Sequence, residues 1–235
     1  MRQSTMFVAL FDIDATLLHT RGAGRAAFAE TFRAEFGIER MEGRISFAGR
    51  SDRAIVRDVL AQHGFEDDPG TWQRFLQGYL KRLQPTLTAR KGGLLPGVLP
   101  LLQAIRERSD IAMGIVTGNV AEGARLKLEH YGIDSFFDFG GYGDHHTDRG
   151  GIAADALSAA DAFLRTAHRQ SAVPARTTVI GDTPEDVRCA RAIAAKAIAV
   201  ATGDSSRAEL TAAAPDRAFD DLTDRDAVLA TITAA

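Results

Sequence analysis

The chain has 235 residues, one cysteine, and 28 basic against 31 acidic side chains, for a formal net charge of -3. That length supports one sizeable core with a smaller second unit. Interspersed charges leave no basic stripe for a nucleic-acid backbone, a lone cysteine excludes an internal disulfide or a thiolate metal cage, and no apolar run reaches the roughly 18 residues of a membrane span.

The N-terminus lacks the charged, apolar and cleavage regions of a signal peptide, so a cytoplasmic protein is expected. Val8 to Thr16 (VALFDIDAT) reads as a buried parallel strand that ends abruptly in Asp12 and Asp14. Two carboxylates at the carboxyl end of a core strand repel and resist desolvation, so such a pair predicts a cation beside it. In open α/β sheets the crevice beyond those strand ends is where ligands bind.

From Leu17 to Arg90 the periodicity predicts three helices and no strand: Gly24 to Phe36, a helix capped by Ser51, and about Thr71 to Leu83. Gly22, Gly92 and Gly93 lie in the two linkers of this unit and suit a hinge. Gly97 to Arg108 is a helix, Ile111 to Val116 a strand ending in Thr117, Gly118 and Asn119, and Ala121 to Tyr131 a helix stopped by Gly132. A short strand is expected at Phe136 to Phe139. A charged, glycine-rich loop over Gly140 to Gly151 leads into an alanine-rich helix ending near His168. Thr177 to Ile180 is a strand ending in Gly181 and Asp182, with a helix from Pro184 to Ile193. Ala197 to Val200 is a further strand, followed by a weak helix, a short strand near Phe219 and a last helix. Strands alternating with helices predict an α/β fold with a parallel sheet covered on both faces.

Polar groups from several strand ends meet in one crevice: Asp12 and Asp14, Thr117 and Asn119, the loop with Arg149, and Asp182 with Asp186. In this respect the chain closely resembles the haloacid dehalogenase superfamily. DxDxT at Asp12 to Thr16 resembles its first motif, TGN at Thr117 to Asn119 its second, and GDTPED at Gly181 to Asp186 its acidic fourth. The resemblance covers nearly the whole chain and is greatest to the phosphoglycolate phosphatase-like subgroup with a helical cap after motif one. It implies a Rossmann-like parallel sheet core, residues 1–16 and 91–235, with an inserted all-α cap, residues 17–90.

The resemblance implies a Mg²⁺-dependent phosphatase acting on a small-metabolite phosphomonoester. Asp12 is then the nucleophile that takes the phosphoryl group. Asp14 protonates the leaving oxygen and later deprotonates water. Hard Mg²⁺ prefers oxygen ligands and is assigned to Asp12, the backbone carbonyl of Asp14 and Asp182, with Asp186 as a direct or water-mediated ligand. Thr117 is expected to hold phosphate oxygens, with Thr16, Gly118 and Asn119 completing the phosphate site. The family usually supplies a lysine, often before proline; no Lys-Pro pair exists here, so Arg149 is preferred as the fixed cation and Lys127, mid-helix where a solvated face is the default, is the runner-up. Ala15 stands where the family usually has glycine and is expected in a helical, negative-φ conformation. In the stretch Ser46 to Asp52, Arg50 is the candidate for an anionic substrate end, against a plain surface role. His19 is either a substrate contact or an exposed linker residue. His145 and His146 read as solvated, and Cys189 as a small buried residue.

Rival readings share the scaffold. A 2-haloacid dehalogenase would lack Asp14, and a phosphonatase would need a cap lysine, for which only Lys81 offers itself. A phosphosugar mutase uses the same aspartates, and a degenerate member would bind phosphate or a partner without turnover.

Overall fold

The computed structural model describes residues 6–41 and 47–234. Its first half runs β1 (Phe7–Phe11), β2 (Leu18–His19), α1 (Ala23–Phe36), α2 (Asp52–Gln62), α3 (Pro69–Arg90), β3 (Gly93–Leu94), α4 (Val98–Arg106), β4 (Ile111–Val116) and α5 (Ala121–His130). The second half runs β5 (Phe139–Gly141), α6 (Arg149–His168), β6 (Thr177–Gly181), α7 (Pro184–Ala192), β7 (Lys196–Val200), α8 (Arg207–Ala212), β8 (Arg217–Phe219) and α9 (Arg225–Thr233).

Six strands form one parallel sheet in the order β5-β4-β1-β6-β7-β8, with β1 between β4 (Phe7 opposite Ile111) and β6 (Val8 opposite Thr177). Successive side chains of a strand face opposite ways, so β1 serves two cores at once. Ala9 and Phe11 pack with Val98 and Leu101 of α4, Leu128 of α5 and Val228 of α9. Val8 and Leu10 pack with Ile152 and Ala156 of α6 and Val187 of α7 on the other face. Burial on both faces is why β1 and β4 are apolar throughout rather than alternating. The parallel pairing brings Asp12, Thr117 and Asp182 together at the carboxyl ends of β1, β4 and β6, because parallel strands end on the same side.

Helices α1, α2 and α3 enclose a third apolar cluster. Phe28 and Phe32 of α1 meet Ile55 and Val59 of α2 and Phe75, Tyr79, Leu83 and Leu87 of α3, with Val120 entering from the base of α5. Phe28 and Tyr79 meet edge-on with ring centroids 4.7 Å apart, a favoured aromatic geometry.

Three expectations are corrected. The stretch from Leu17 to Arg90 does contain a strand: Leu18 and His19 pair antiparallel with Leu94 and Gly93, so the two linkers form a ribbon. Two-residue strands carry no periodic signal. Gly92 is required in this ribbon, since a Cβ would strike the His19 carbonyl and the Tyr131 hydroxyl. Helix α3 continues to Arg90 through Pro85 because its buried stripe, Phe75, Tyr79, Leu83 and Leu87, runs past the proline. The short strand after α5 lies at Phe139–Gly141, following a 3₁₀ turn at Asp134–Phe136. Among the described residues no helix is long and apolar enough to cross a membrane.

Candidate active site

Asp12 extends β1 by one hydrogen bond, its N–H donating to Ile180 O at 2.9 Å, and its side chain is buried at the carboxyl end of this central strand. The chain then turns sharply. Ala15 takes φ 60°, its N–H donates to Leu18 O at 2.8 Å, and its carbonyl accepts from Thr202 Oγ1 at 2.5 Å. The expectation of a negative φ at Ala15 is therefore wrong: the turn that brings Asp14 back over the site uses the left-handed region, at a cost of about 1 kcal/mol for a residue with a Cβ.

The carboxylates of Asp12, Asp182 and Asp186 lie together, with a ligand oxygen of each within 4.8 Å of the others, and all three are buried. Burial raises Asp12 to about 7, helped by the charges of Asp186 and Asp14 and opposed by Arg149 and Thr117. Burial likewise raises Asp182 to about 8, with Asp186 and Asp12 adding to it. Thr16, expected to touch phosphate, instead donates from Oγ1 to Asp182 Oδ1 at 3.2 Å and does not line the cavity. Its hydroxyl holds an acid in place because the turn at Ala15 points it down toward β6.

Asp186 sits at the start of α7 in a reciprocal cap: its Oδ2 accepts from Thr183 N at 3.0 Å and Thr183 Oγ1 at 2.6 Å. Its other oxygen, Oδ1, accepts from Arg149 Nη2, which also lies 3.6 Å from Asp12 Oδ1. Arg149 opens α6 yet is buried, held by carboxylates on two sides. Asp186 is thus both a helix cap and a member of the acidic cluster.

A second constellation covers the first. Lys127 Nζ donates to Asp14 Oδ2 at 2.5 Å and to Asn119 Oδ1 at 2.6 Å, while Asn119 Nδ2 donates to Asp14 Oδ2 and Thr117 Oγ1, each at 2.8 Å. Lys127 is 3% exposed, which overturns the expectation of a solvated helix face. A signal for this was present. Lys127 follows Gly123 by four residues and precedes Leu128, so it falls on the buried stripe of α5. Arg149 and Lys127 are therefore not alternatives; the fold brings both to the site.

These groups line a cavity of about 330 Å³ roofed by the helical cap. Gly118 and Asn119 line its floor, and Arg25, Phe47, Tyr79 and Asp52, none of them predicted as site residues, reach it from the cap side together with His19 from the ribbon. Arg50 lines it too, but its guanidinium is engaged by Asp58 and by Ala54 O at 3.2 Å. Ser46 lies outside the described residues. His146 is not free in solvent as expected: its Nε2 pairs with Asp155 at 2.7 Å, while Cys189 is buried and its Sγ donates to Arg149 O at 3.4 Å.

Three oxygen-only carboxylates facing one guanidinium leave net negative charge in a low-dielectric place. That donor set fits a hard divalent cation, whose charge would remove the penalty that raises Asp12 and Asp182.

Comparison with known proteins agrees with this arrangement. The family model of haloacid dehalogenase-like hydrolases matches residues 9–200. A phosphoglycolate phosphatase of Synechococcus elongatus is 30% identical over 213 residues, 90% of this chain and 91% of its own length. Among solved structures, CbbY from Rhodobacter sphaeroides in complex with phosphate superposes with TM-score 0.72 at 21% identity, covering 94% of this chain and 96% of its own. A CbbY mutant in complex with xylulose-(1,5)-bisphosphate gives TM-score 0.73 at 20% identity, with the same coverage. With its motifs closing successive parallel strands over a buried acid cluster, the chain belongs to the haloacid dehalogenase-like hydrolases and is a phosphatase-type enzyme among them.

Proposed function

We propose that this chain is a Mg²⁺-dependent phosphatase that hydrolyses a small-metabolite phosphomonoester through an aspartyl-phosphate on Asp12, with residues 17–90 acting as a cap over a core of residues 1–16 and 91–235. The observation that carries the reading is the position of Asp12: buried, 3.6 Å from the Arg149 guanidinium, and sharing a cavity with Asp14, Thr117 and Lys127.

In this reading an Asp12 carboxylate oxygen bonds to phosphorus as the bond from phosphorus to the leaving oxygen breaks. Asp14, set beside Lys127 and Asn119, delivers a proton to that oxygen. Asp14 then takes a proton from water as the water attacks phosphorus, which frees inorganic phosphate and restores the Asp12 carboxylate. Thr117, the Gly118 and Asn119 turn, Lys127 and Arg149 hold the phosphoryl oxygens, whose negative charge they are placed to offset. Asp12, Asp182, Asp186 and the Asp14 carbonyl would hold Mg²⁺, which supplies the positive charge that lets a dianionic ester approach a carboxylate.

The cavity suits a substrate of metabolite size. Phosphoglycolate and xylulose-(1,5)-bisphosphate, named for the similar proteins, head the first panel to test. Release of inorganic phosphate is measured with Mg²⁺ and with chelator, for the native chain and Asp12→Asn. Metal-dependent release that vanishes in the variant is expected; release that persists in Asp12→Asn removes the nucleophile assignment.

A further inference from the structure

Helix α5 begins without a side-chain cap of its own; Val120 stands at its N-cap position. Two carboxylates from distant parts of the chain satisfy its leading N–H groups. Val120 N donates to Asp52 Oδ2 at 2.9 Å, and Ala121 N donates to Asp144 Oδ2 at 2.8 Å. Asp52 opens α2 of the cap, and its backbone N–H also donates to Gly118 O at 2.7 Å. One cap residue thus grips the Gly118 to Val120 turn from both ends. The approach is close enough that Gly118 has no room for a Cβ, which would meet the Arg50 carbonyl.

The gripped turn is the one that carries chemistry. It follows Thr117, contains Asn119, and leads into the helix that places Lys127 beside Asp14. Asp52 is 7% exposed, and burial raises it to about 7 against the opposing effect of Lys127 and the Val120 N–H. A carboxylate held in such a place is costly unless it is bonded there. Ser51 already caps α2, accepting from Ala54 N at 3.2 Å, so Asp52 is not needed as that helix's cap. Its backbone N–H and its Oδ2 both bond across the boundary between cap and core.

Resting on the phosphatase reading above, we propose that Asp52 is a positioning residue: seated, the cap clips the Gly118 to Val120 turn through the backbone N–H and carboxylate of Asp52, and only the clipped turn presents Thr117, Asn119 and Lys127 in working geometry. Cap closure and assembly of the phosphate site are then one event.

The test compares Asp52→Ala, Asp52→Ser and Asp52→Asn in the Mg²⁺-loaded chain. Alanine and serine cannot span to Val120, and serine keeps a polar group should alanine prevent folding; asparagine keeps the shape and a carbonyl acceptor. Losing one buried charge-assisted bond predicts that the shortened variants lose about 10- to 100-fold in kcat/KM, mostly through kcat, while asparagine stays within about 5-fold of the native chain. Amide exchange reads the clip without catalysis: Val120 protection should fall about 10-fold or more in the shortened variants, and Ala121, held by Asp144, should change less. Unchanged Val120 protection overturns the clip. Lost protection with unaltered kcat/KM on a substrate that the native chain turns over overturns the positioning role, as does an asparagine variant as slow as alanine. If the native chain hydrolyses no ester, the phosphatase reading fails and the positioning role with it, and Val120 exchange then reports the structural clip alone.

Discussion

Lys127 and Asp14, 113 residues apart, meet at 2.5 Å between Nζ and Oδ2, and Asn119 closes the contact into a ring of three side chains. The ammonium is almost wholly buried and the Asp14 carboxylate is partly open to the cavity. One cation thereby fixes the orientation of the expected acid and stands where phosphoryl charge would gather.

Replacing Lys127 by Met should therefore reduce kcat by about 10²- to 10³-fold, the scale of a lost transition-state donor. Stability should fall by about 1–2 kcal/mol, less than for a fully buried pair because Asp14 faces solvent on one side. Steady-state kinetics and denaturant unfolding check both. A variant with normal kcat would place Lys127 in a purely structural role.

Arg149 joins Asp186 and reaches Asp12 with the same nitrogen, and its guanidinium is buried between them. Lysine offers a point charge on a flexible stem and no planar fork. Arg149→Lys is expected to fold, since Thr183 still caps α7 with Asp186, yet to lose about 10- to 100-fold in kcat. The circular dichroism spectrum and phosphate release separate the two outcomes; Arg149→Lys at native rate would show that charge alone suffices.

Asp12 and Asp182 titrate above the ordinary carboxylate range, at about 7 and about 8, because burial and their like-charged neighbours disfavour ionisation. Both folded values exceed the unfolded value near 3.9. Their contribution to stability is therefore fully present below that value and is lost as pH rises through the folded values. The metal-free chain should accordingly lose stability from these groups between pH about 4 and about 8. Divalent metal must displace protons from the same groups, so its affinity should weaken as pH falls through this window, and its stabilisation should be greater at pH about 8 than at about 5.5. Thermal unfolding with and without Mg²⁺ at the two pH values measures this. A metal increment that grows toward acid would contradict the assignment of the acidic cluster as the metal site.

Ala15→Gly removes a Cβ from a left-handed turn at φ 60°. Relief of about 1 kcal/mol is partly offset by the greater freedom of glycine in the unfolded chain, for a net gain of about 0.5 kcal/mol. The unfolding midpoint should rise by about 1–2 °C. A fall would mean that the packing of the alanine methyl is worth more than the strain.

The alternation of apolar strands with helices, the helical insert and the acidic ends of β1 and β6 are legible without coordinates. Each depends on local chemistry: strand apolarity follows from burial on both faces, and Asp12, Thr117 and Asp182 meet at the strands' carboxyl ends because parallel strands end alike. The three-carboxylate cluster follows from those same strand ends, with Asp186 one helical turn further on.

Other features arise between distant segments and leave little local trace. The left-handed turn at Ala15 is imposed by its bonds to Leu18 and Thr202, and Thr16 faces Asp182 as a result. The β2–β3 ribbon joins segments too short for any period. Lys127 looks like one more charge on an exposed helix until α5 lies against Asp14, and Asp52 looks like an ordinary first-turn acid until its carboxylate meets Val120. Sequence alone determined which strands form the sheet and which acids crown it, because burial and strand direction are written in residue type. Only the tertiary structure decided how the cations and the cap engage those acids, because a buried charge depends on partners that the chain brings together from more than thirty residues away.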